Sequence, residues 1–205
     1  MTPRVEFLFD FGSPNAYLCH RAIPELERRC DVKVAYVPIL LGGVFKATNN
    51  VSPAVSLQGI KNKPEYQHLE IQRFCTRYGI DDLRMNPHFP VNTLQLMRGA
   101  IVAQRADFFE RYVDEMYRHM WKDPKKMDDP EVMRAALVES GLDAEALLAG
   151  IQEADVKAEL IANTERAVDR GVFGSPSLFV GEELFFGKDR LDDVEREIAR
   201  QRGDA

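Results

Sequence analysis

The sequence predicts an α/β protein in which a β-α-β unit and a β-β-α unit are separated by a long helical segment. Two strand patterns flank one helical pattern within the first 40 residues. No convincing strand follows between residues 44 and 170, where apolar residues recur at helical spacing. Strand patterns return only after residue 176 and lead into a last amphipathic helix.

The first unit begins with residues 5–9, which are β-prone and almost wholly apolar. Such a run is typical of a strand that is buried on both faces. Residues 14–29 have a helical pattern, and residues 32–37 are predicted as a second strand that Pro38 ends. A strand, a helix and a strand of these lengths form a unit with a parallel strand pair.

The middle of the chain contains a polar loop, residues 48–63, and several predicted helices. Proline and glycine mark the helix ends. The predicted ranges are 64–78, 94–105, 107–121, 130–140, 143–150 and 153–170.

The second unit has strands at 177–180 and 184–186, and the glycine between them indicates a hairpin. Residues 188–190 are predicted to open the last helix, whose apolar face includes Leu191, Val194 and Ile198.

Composition restricts the possible partners. The 205 residues include 45% hydrophobic ones and have a net charge of −6, which argues against nucleic acid or an anionic membrane as a partner. No apolar run reaches the roughly 18 residues of a membrane span. The three cysteines have neither CxxC nor zinc-ligand spacing, so we expect reduced thiols and no metal site. The first residues run into a strand pattern without an apolar secretory segment, so we expect a cytoplasmic protein.

The segment from Phe9 to Leu18 contains the most informative turn. Asp10 and Gly12 favour a turn after the first strand, Ser13 is a preferred N-cap residue, and Pro14 suits the first helical position. The unpaired N–H groups of a helix N-terminus favour an anion such as a thiolate. Taken alone, the turn indicates a helix cap more strongly than a ligand site.

Several motifs follow one another along the chain: Phe9-Asp10-Phe11-Gly12-Ser13-Pro14 with Tyr17-Leu18, then Leu40-Leu41-Gly42-Gly43-Val44-Phe45-Lys46-Ala47-Thr48, then Gly171-Val172-Phe173-Gly174-Ser175-Pro176, and finally Phe186-Gly187-Lys188-Asp189-Arg190-Leu191. In this order they resemble the motifs of the 2-hydroxychromene-2-carboxylate isomerases and the related kappa-class glutathione transferases. The resemblance implies a DsbA-like thioredoxin fold with a large all-helical insertion. Residues 1–43 and 171–205 would form the thioredoxin-like domain, and residues 44–170 the insertion.

The resemblance also implies an activity. The family interconverts 2-hydroxychromene-2-carboxylate and trans-o-hydroxybenzylidenepyruvate in naphthalene catabolism, by reversible addition of a glutathione thiolate to the substrate double bond. It implies glutathione as cofactor, a small aromatic carboxylate as substrate, and a homodimer. A kappa-class-like glutathione transferase and a non-catalytic DsbA-like binding module remain as alternatives. Dithiol exchange is excluded, because the window Ser13-Pro14-Asn15-Ala16 lacks both redox sulfurs.

The resemblance assigns roles to individual residues. Ser13 would be catalytic by donating to the glutathione thiolate, so its Oγ should face Pro176 and not fold back onto its own helix. The other residues implied to bind glutathione are Ser175, Pro176, Lys188, Asp189, Arg190 and Lys61. Those implied to bind substrate are Lys46, Asn50 and Asn92. For the lysines a solvated surface position is the alternative, and for Asn92 a helix cap.

Overall fold

The computed structural model describes residues 3–203, whose strands form one four-stranded sheet flanked by helices. The strands are β1 (Val5–Phe9), β2 (Val34–Pro38), β3 (Ser177–Val180) and β4 (Glu183–Phe186). The helices are α1 (Pro14–Cys30), α2 (Leu41–Thr48), α3 (Pro53–Ser56), α4 (Lys63–Tyr78), α5 (Leu94–Arg105), α6 (Phe109–Trp121), α7 (Pro130–Glu139), α8 (Ala144–Gly150), α9 (Ala154–Asp169) and α10 (Leu191–Arg202).

The sheet joins the two ends of the chain. Its strand order is β2-β1-β3-β4, with β1 parallel to β2 and antiparallel to β3, and β3 antiparallel to β4. The predicted parallel pair and the predicted hairpin are both confirmed. The second strand lies at Val34–Pro38, so the predicted range 32–37 was wrong at both ends.

Strand β1 is buried on both faces, as its apolar sequence predicts. Phe7 and Phe9 point into the larger core, which the helical segment covers. Leu8 points to the other face and packs with Ile39 and Phe179 in a smaller core. Because successive side chains alternate between faces, this strand anchors both layers at once.

The predicted helices agree with the structure to within one or two residues at each end, and the structure differs at three further places, of which α2 is taken up below. Part of the predicted polar loop forms α3, and residues 188–190 form a short 3₁₀ turn before α10 begins at Leu191. Among the helices of residues 3–203, none is long and apolar enough to cross a bilayer.

Helix α2 was not predicted, and its sequence explains why. Gly42 and Gly43 have poor helix propensity, and the N-cap residue Leu40 has no side chain that accepts a hydrogen bond. Two distant side chains replace that cap: Thr164 Oγ1 accepts from the Leu40 N–H at 3.0 Å, and Asp10 Oδ2 accepts from the Leu41 N–H at 2.7 Å. Tertiary contacts therefore stabilise this helix where local sequence does not.

Helices α5 and α6 meet at a glycine. The Tyr112 ring occupies the space beside Gly99, and its hydroxyl donates to the Leu96 carbonyl at 2.9 Å. A Cβ at Gly99 would lie 2.1 Å from that hydroxyl oxygen. Gly99 thus permits the close approach of the two helices that lie under the Ser13 turn.

We predict that Gly99→Ala lowers the free energy of unfolding by about 2–3 kcal/mol, because the methyl group displaces the buried Tyr112 ring. Gly42→Ala is the matched control, since a Cβ there meets no atom within 4 Å; it should raise the free energy of unfolding by about 0.5–1 kcal/mol through helix propensity alone. Urea unfolding followed by circular dichroism measures both. Equal stability of the two variants would contradict this account of the α5–α6 contact.

Candidate active site

The turn from Asp10 to Ser13 connects β1 to α1 and is fixed by its own hydrogen bonds. The Ser13 N–H donates to the Asp10 carbonyl at 3.1 Å, and the Gly12 N–H donates to Asp10 Oδ1 at 2.8 Å. Pro14 occupies the first turn of α1, where its missing N–H costs no hydrogen bond. The local sequence therefore places Ser13 at the helix N-terminus, as predicted.

The Asp10 carboxylate has a larger role than the turn residue that the sequence indicated. Its side chain is buried and also accepts from the Leu41 N–H at 2.7 Å and from Thr93 Oγ1 at 2.7 Å. Burial raises the pKa of Asp10, while the bonds from Leu41, Gly12 and Thr93 act in the opposite direction. One side chain thus joins the Ser13 turn to the starts of α2 and α5.

The aromatic core holds the same turn from below. Trp121 Nε1 donates to the Phe11 carbonyl at 2.8 Å, and the Phe11 N–H donates to Met97 Sδ at 3.4 Å. The Phe11 and Tyr117 rings pack edge to face with centroids 4.8 Å apart. The main chain beside Ser13 is therefore held by buried groups of α5 and α6.

The Ser13 hydroxyl forms two hydrogen bonds. It donates to the Ser175 carbonyl at 2.8 Å, and it accepts from the Ala16 N–H at 3.2 Å. The Ser13 hydroxyl therefore faces the segment that contains Pro176, as expected. The expectation that it would not also bond its own helix was wrong. One hydroxyl supplies both contacts, because donating and accepting use different parts of the group.

The segment opposite Ser13 begins strand β3. The Ser175–Pro176 peptide bond is cis, and both residues are buried. The Gly187 N–H donates to the Pro176 carbonyl at 3.0 Å, which brings the 188–190 turn to the same end of the sheet. Two hydrogen bonds thus connect the parts of this site: one from Ser13 to Ser175, and one from Gly187 to Pro176.

The 188–190 turn presents one buried cation and two exposed charges. Lys188 is 4% exposed, pairs with the Asp189 carboxylate, and lies 5.2 Å above the Phe74 ring centre. Lys188 and Asp189 line a depression of about 370 Å³ between α4 and the start of α10. Arg190 is exposed and pairs with Asp193 at 3.2 Å.

The remaining predicted residues lie in different places. The Asn50 amide donates to the Phe173 carbonyl at 2.8 Å, two residues before Ser175. Lys46 lines a separate groove with residues of α5 and α9, and Lys61 is exposed in the turn before α4. Asn92 Oδ1 accepts from the Leu94 N–H at 3.0 Å, a local bond at the start of α5, whose N-cap residue is Thr93 and not Asn92.

Two further residues of α1 bear on the chemistry. The Asn15 Oδ1 atom, two residues after Ser13 in the chain, is shielded from solvent and has no hydrogen-bond partner among the described residues. Cys19 is fully buried, and burial raises the pKa of its thiol, so it is not a thiolate. The first turn of α1 therefore offers polar groups for a ligand, and Cys19 supplies no nucleophile to it.

The sequence indicated Ser13 but not its supports. Asp10 was interpreted only as a turn former. The partners of Asp10 lie 31 and 83 residues away in the chain, so local spacing gives no sign of them. The one available signal was a carboxylate directly after an almost wholly apolar strand.

Comparisons with known proteins identify the family to which the fold belongs. Residues 4–199 match the family described as DSBA-like thioredoxin domain. The chain is 30% identical over 198 residues to a 2-hydroxychromene-2-carboxylate isomerase of Sphingobium xenophagum, covering 95% of this chain and 97% of that protein. It is 27% identical to glutathione S-transferase kappa 1 of Caenorhabditis elegans, covering 92% and 88%.

A solved structure of 2-hydroxychromene-2-carboxylate isomerase superimposes with a TM-score of 0.81 at 28% identity, covering 96% of this chain and 95% of that one. The predicted DsbA-like thioredoxin fold is thereby confirmed.

We predict that Asp10→Asn destabilises the protein by about 2–3 kcal/mol. An amide in place of the carboxylate turns an NH₂ group toward the N–H of either Gly12 or Leu41, so one backbone donor loses its partner. Thr93→Val removes only one of the three bonds and should cost about 1 kcal/mol. Urea unfolding compares the two. If Thr93→Val cost as much as Asp10→Asn, the carboxylate would not be the central acceptor.

Proposed function

Since the chain belongs to the DSBA-like thioredoxin domain family, and within it to the 2-hydroxychromene-2-carboxylate isomerase family, we propose that it is a glutathione-dependent isomerase. Its reaction would interconvert 2-hydroxychromene-2-carboxylate and trans-o-hydroxybenzylidenepyruvate in naphthalene catabolism. The observation on which this depends most is the Ser13 hydroxyl, placed at the N-terminus of α1 against the Ser175–Pro176 segment.

The residues at this site fit glutathione. In this proposal the Asn15 Oδ1 atom, which has no partner among the described residues, would accept from a ligand N–H. The Ser175 backbone would pair with an extended peptide-like ligand once the Ser13 hydroxyl releases the Ser175 carbonyl. Asp189 supplies an exposed carboxylate for an ammonium group, next to the start of α10. Ser13, Ser175, Pro176, Lys188 and Asp189 would hold the cofactor in this proposal, with Arg190 and Lys61 at its periphery.

When bound, glutathione would supply a thiolate that adds reversibly to the conjugated double bond of the substrate, which lets that bond rotate. The chain's own part is orientation and electrostatics. The Ser13 hydroxyl has a single proton, which it donates to the Ser175 carbonyl. To stabilise a bound sulfur anion it must turn that proton away from Ser175 while still accepting from Ala16. The positive end of α1 adds to the stabilisation.

Three residues are proposed for the substrate. Asn50 has the best support, because its amide already contacts the main chain two residues before Ser175. Lys46 and Asn92 stay predictions. The aromatic carboxylate substrate and the homodimer, which the resemblance implies, also stay predictions, as does the cytoplasmic location. Light scattering in solution tests the homodimer.

A second candidate is a kappa-type transferase, in which glutathione leaves attached to an electrophile. Relatives named glutathione S-transferase kappa, at 24–27% identity over most of the chain, favour it. The fate of glutathione distinguishes the two reactions: an isomerase returns it unchanged, whereas a transferase consumes one molecule per turnover.

We predict that Ser13→Ala lowers glutathione-dependent isomerisation about 100-fold or more, as expected when one donor to a developing anion is lost. Turnover is followed spectrophotometrically with 2-hydroxychromene-2-carboxylate, with and without glutathione. Ser13→Gly is the matched variant, because glycine keeps most of the N-cap preference but lacks the hydroxyl.

The two variants separate catalysis from capping. If the hydroxyl acts on the thiol, both lose the same activity, whereas loss of the cap alone would affect Ser13→Ala more. Wild-type turnover in a folded Ser13→Ala protein, or equal turnover without glutathione, would contradict the proposal.

A further inference from the structure

His119 lies in the last turn of α6, and its side chain is fully buried. Its Nε2 atom lies 2.9 Å from Ser140 Oγ and 3.1 Å from Arg118 Nη2. Its Nδ1 atom is shielded from solvent and has no hydrogen-bond partner among residues 3–203. A protonated ring carries a hydrogen on both nitrogens, so the N–H at Nδ1 would be buried without an acceptor.

The charged residues around His119 come from α6, from the segment that follows it and from the end of α7. Arg118 pairs with Glu115 at 2.8 Å and with Glu139 at 3.0 Å. Lys125 also pairs with Glu139. Glu115 Oε2 lies 3.9 Å from His119 Nε2. The nearby carboxylates are thus already compensated by cations. Two charges further out complete the cluster: Arg111 and Asp123.

A positive charge on the His119 ring is unfavourable. Burial has the largest effect, and the Lys125 and Arg118 cations add to it, so that the pKa of His119 falls to about 4. Glu139, Glu115 and the C-terminal end of α6 act in the opposite direction without outweighing them. A histidine of the unfolded chain has a pKa of about 6.5, so the unfolded state binds the proton first. The stability that the neutral ring contributes is therefore complete above about pH 6.5 and is lost as the pH falls toward about 4.

The same turn of α6 holds the turn that contains Ser13. Trp121, two residues after His119, ends the helix and donates from Nε1 to the Phe11 carbonyl at 2.8 Å. The Trp121 carbonyl in turn accepts from the Arg84 N–H at 2.6 Å. A charged His119 ring gains water only if this last turn opens, and opening displaces the Trp121 ring, which is itself buried.

We propose that His119 is an acid-sensitive switch: a proton taken from solvent onto its ring opens the last turn of α6 and releases the Trp121 bond to the Phe11 carbonyl. At neutral pH the ring is uncharged and the Ser13 turn is held. In mildly acidic solution the Ser13 turn loses this support. The switch depends only on the chain's own side chains, so it stands without glutathione and without the isomerase activity.

The test uses Trp121 itself, because it is the only tryptophan of the sequence. Hydrogen exchange of its indole N–H, followed by NMR on the full chain and corrected for the intrinsic exchange rate at each pH, measures how often the bond to Phe11 opens. We expect its protection factor to fall about tenfold or more between pH 7 and pH 5. At pH 5 it should also lie about tenfold or more below that of the most protected main-chain N–H of β1, because the opening is local.

His119→Gln keeps a polar side chain but cannot gain a proton, so the corrected protection factor should change less than about twofold over the same pH range. His68→Gln is the matched control, because His68 is exposed on α4 and its loss should leave the wild-type pH dependence intact. The His119 ring is also checked without any variant: its nitrogen chemical shifts in the wild type should show a neutral ring at about pH 5.5.

Three outcomes would overturn the proposal. One is the same pH dependence in His119→Gln as in the wild type, and another is a His119 ring that is already charged at about pH 5.5. The third is an indole N–H as protected as β1 at pH 5, because the turn would then open only when the whole chain unfolds. None of these measurements involves turnover or glutathione, so failure of the isomerase proposal would leave them unaffected.

Discussion

The buried carboxylate of Asp10 is the interaction on which the candidate site depends. It accepts hydrogen bonds from Gly12 within its own turn, from Leu41 at the start of α2 and from Thr93 just before α5. A buried acceptor with three donors fixes positions that the local sequence leaves free, since each donor would otherwise lack a partner. The fold thereby brings the helical segment and the sheet to one turn, and that turn sets the direction of the Ser13 hydroxyl.

The Ser13 hydroxyl already forms two hydrogen bonds in the folded protein, and the proposed chemistry changes only one of them. It caps α1 through Ala16 and donates to the Ser175 carbonyl, so one group supplies both the cap and the contact with the segment before β3. A bound thiolate would compete only for the donated proton and would leave the cap in place. A serine at this position, with Cys19 protonated inside the core, is consistent with a protein that supplies orientation and a donor while a cofactor supplies the sulfur.

The sequence was sufficient for the element order, because strands and helices follow periodicities that are local. It was insufficient for α2, whose two glycines argue against a helix and whose N-terminus is capped by Asp10 and Thr164 from elsewhere in the chain. The same limit applies to the site. Ser13, Ser175 and Pro176 stand in recognisable motifs, but the partners of Asp10 and the unpartnered Oδ1 of Asn15 depend on packing that no spacing reveals. Asn92 shows the reverse case, since a residue that the resemblance assigns to substrate accepts a local hydrogen bond from the Leu94 N–H.

The central claim is that Ser13 and the N-terminus of α1 stabilise a thiolate of bound glutathione. The most direct measurement is the ultraviolet difference absorbance of that thiolate, titrated against pH with the wild-type protein and with Ser13→Gly. The account predicts that the pKa of the bound thiol lies below the value of about 8.5 for a free cysteine thiol in the wild type, and returns toward it in the variant. A bound thiol that titrates with the same pKa in both proteins, or as it does free in solution, would contradict it.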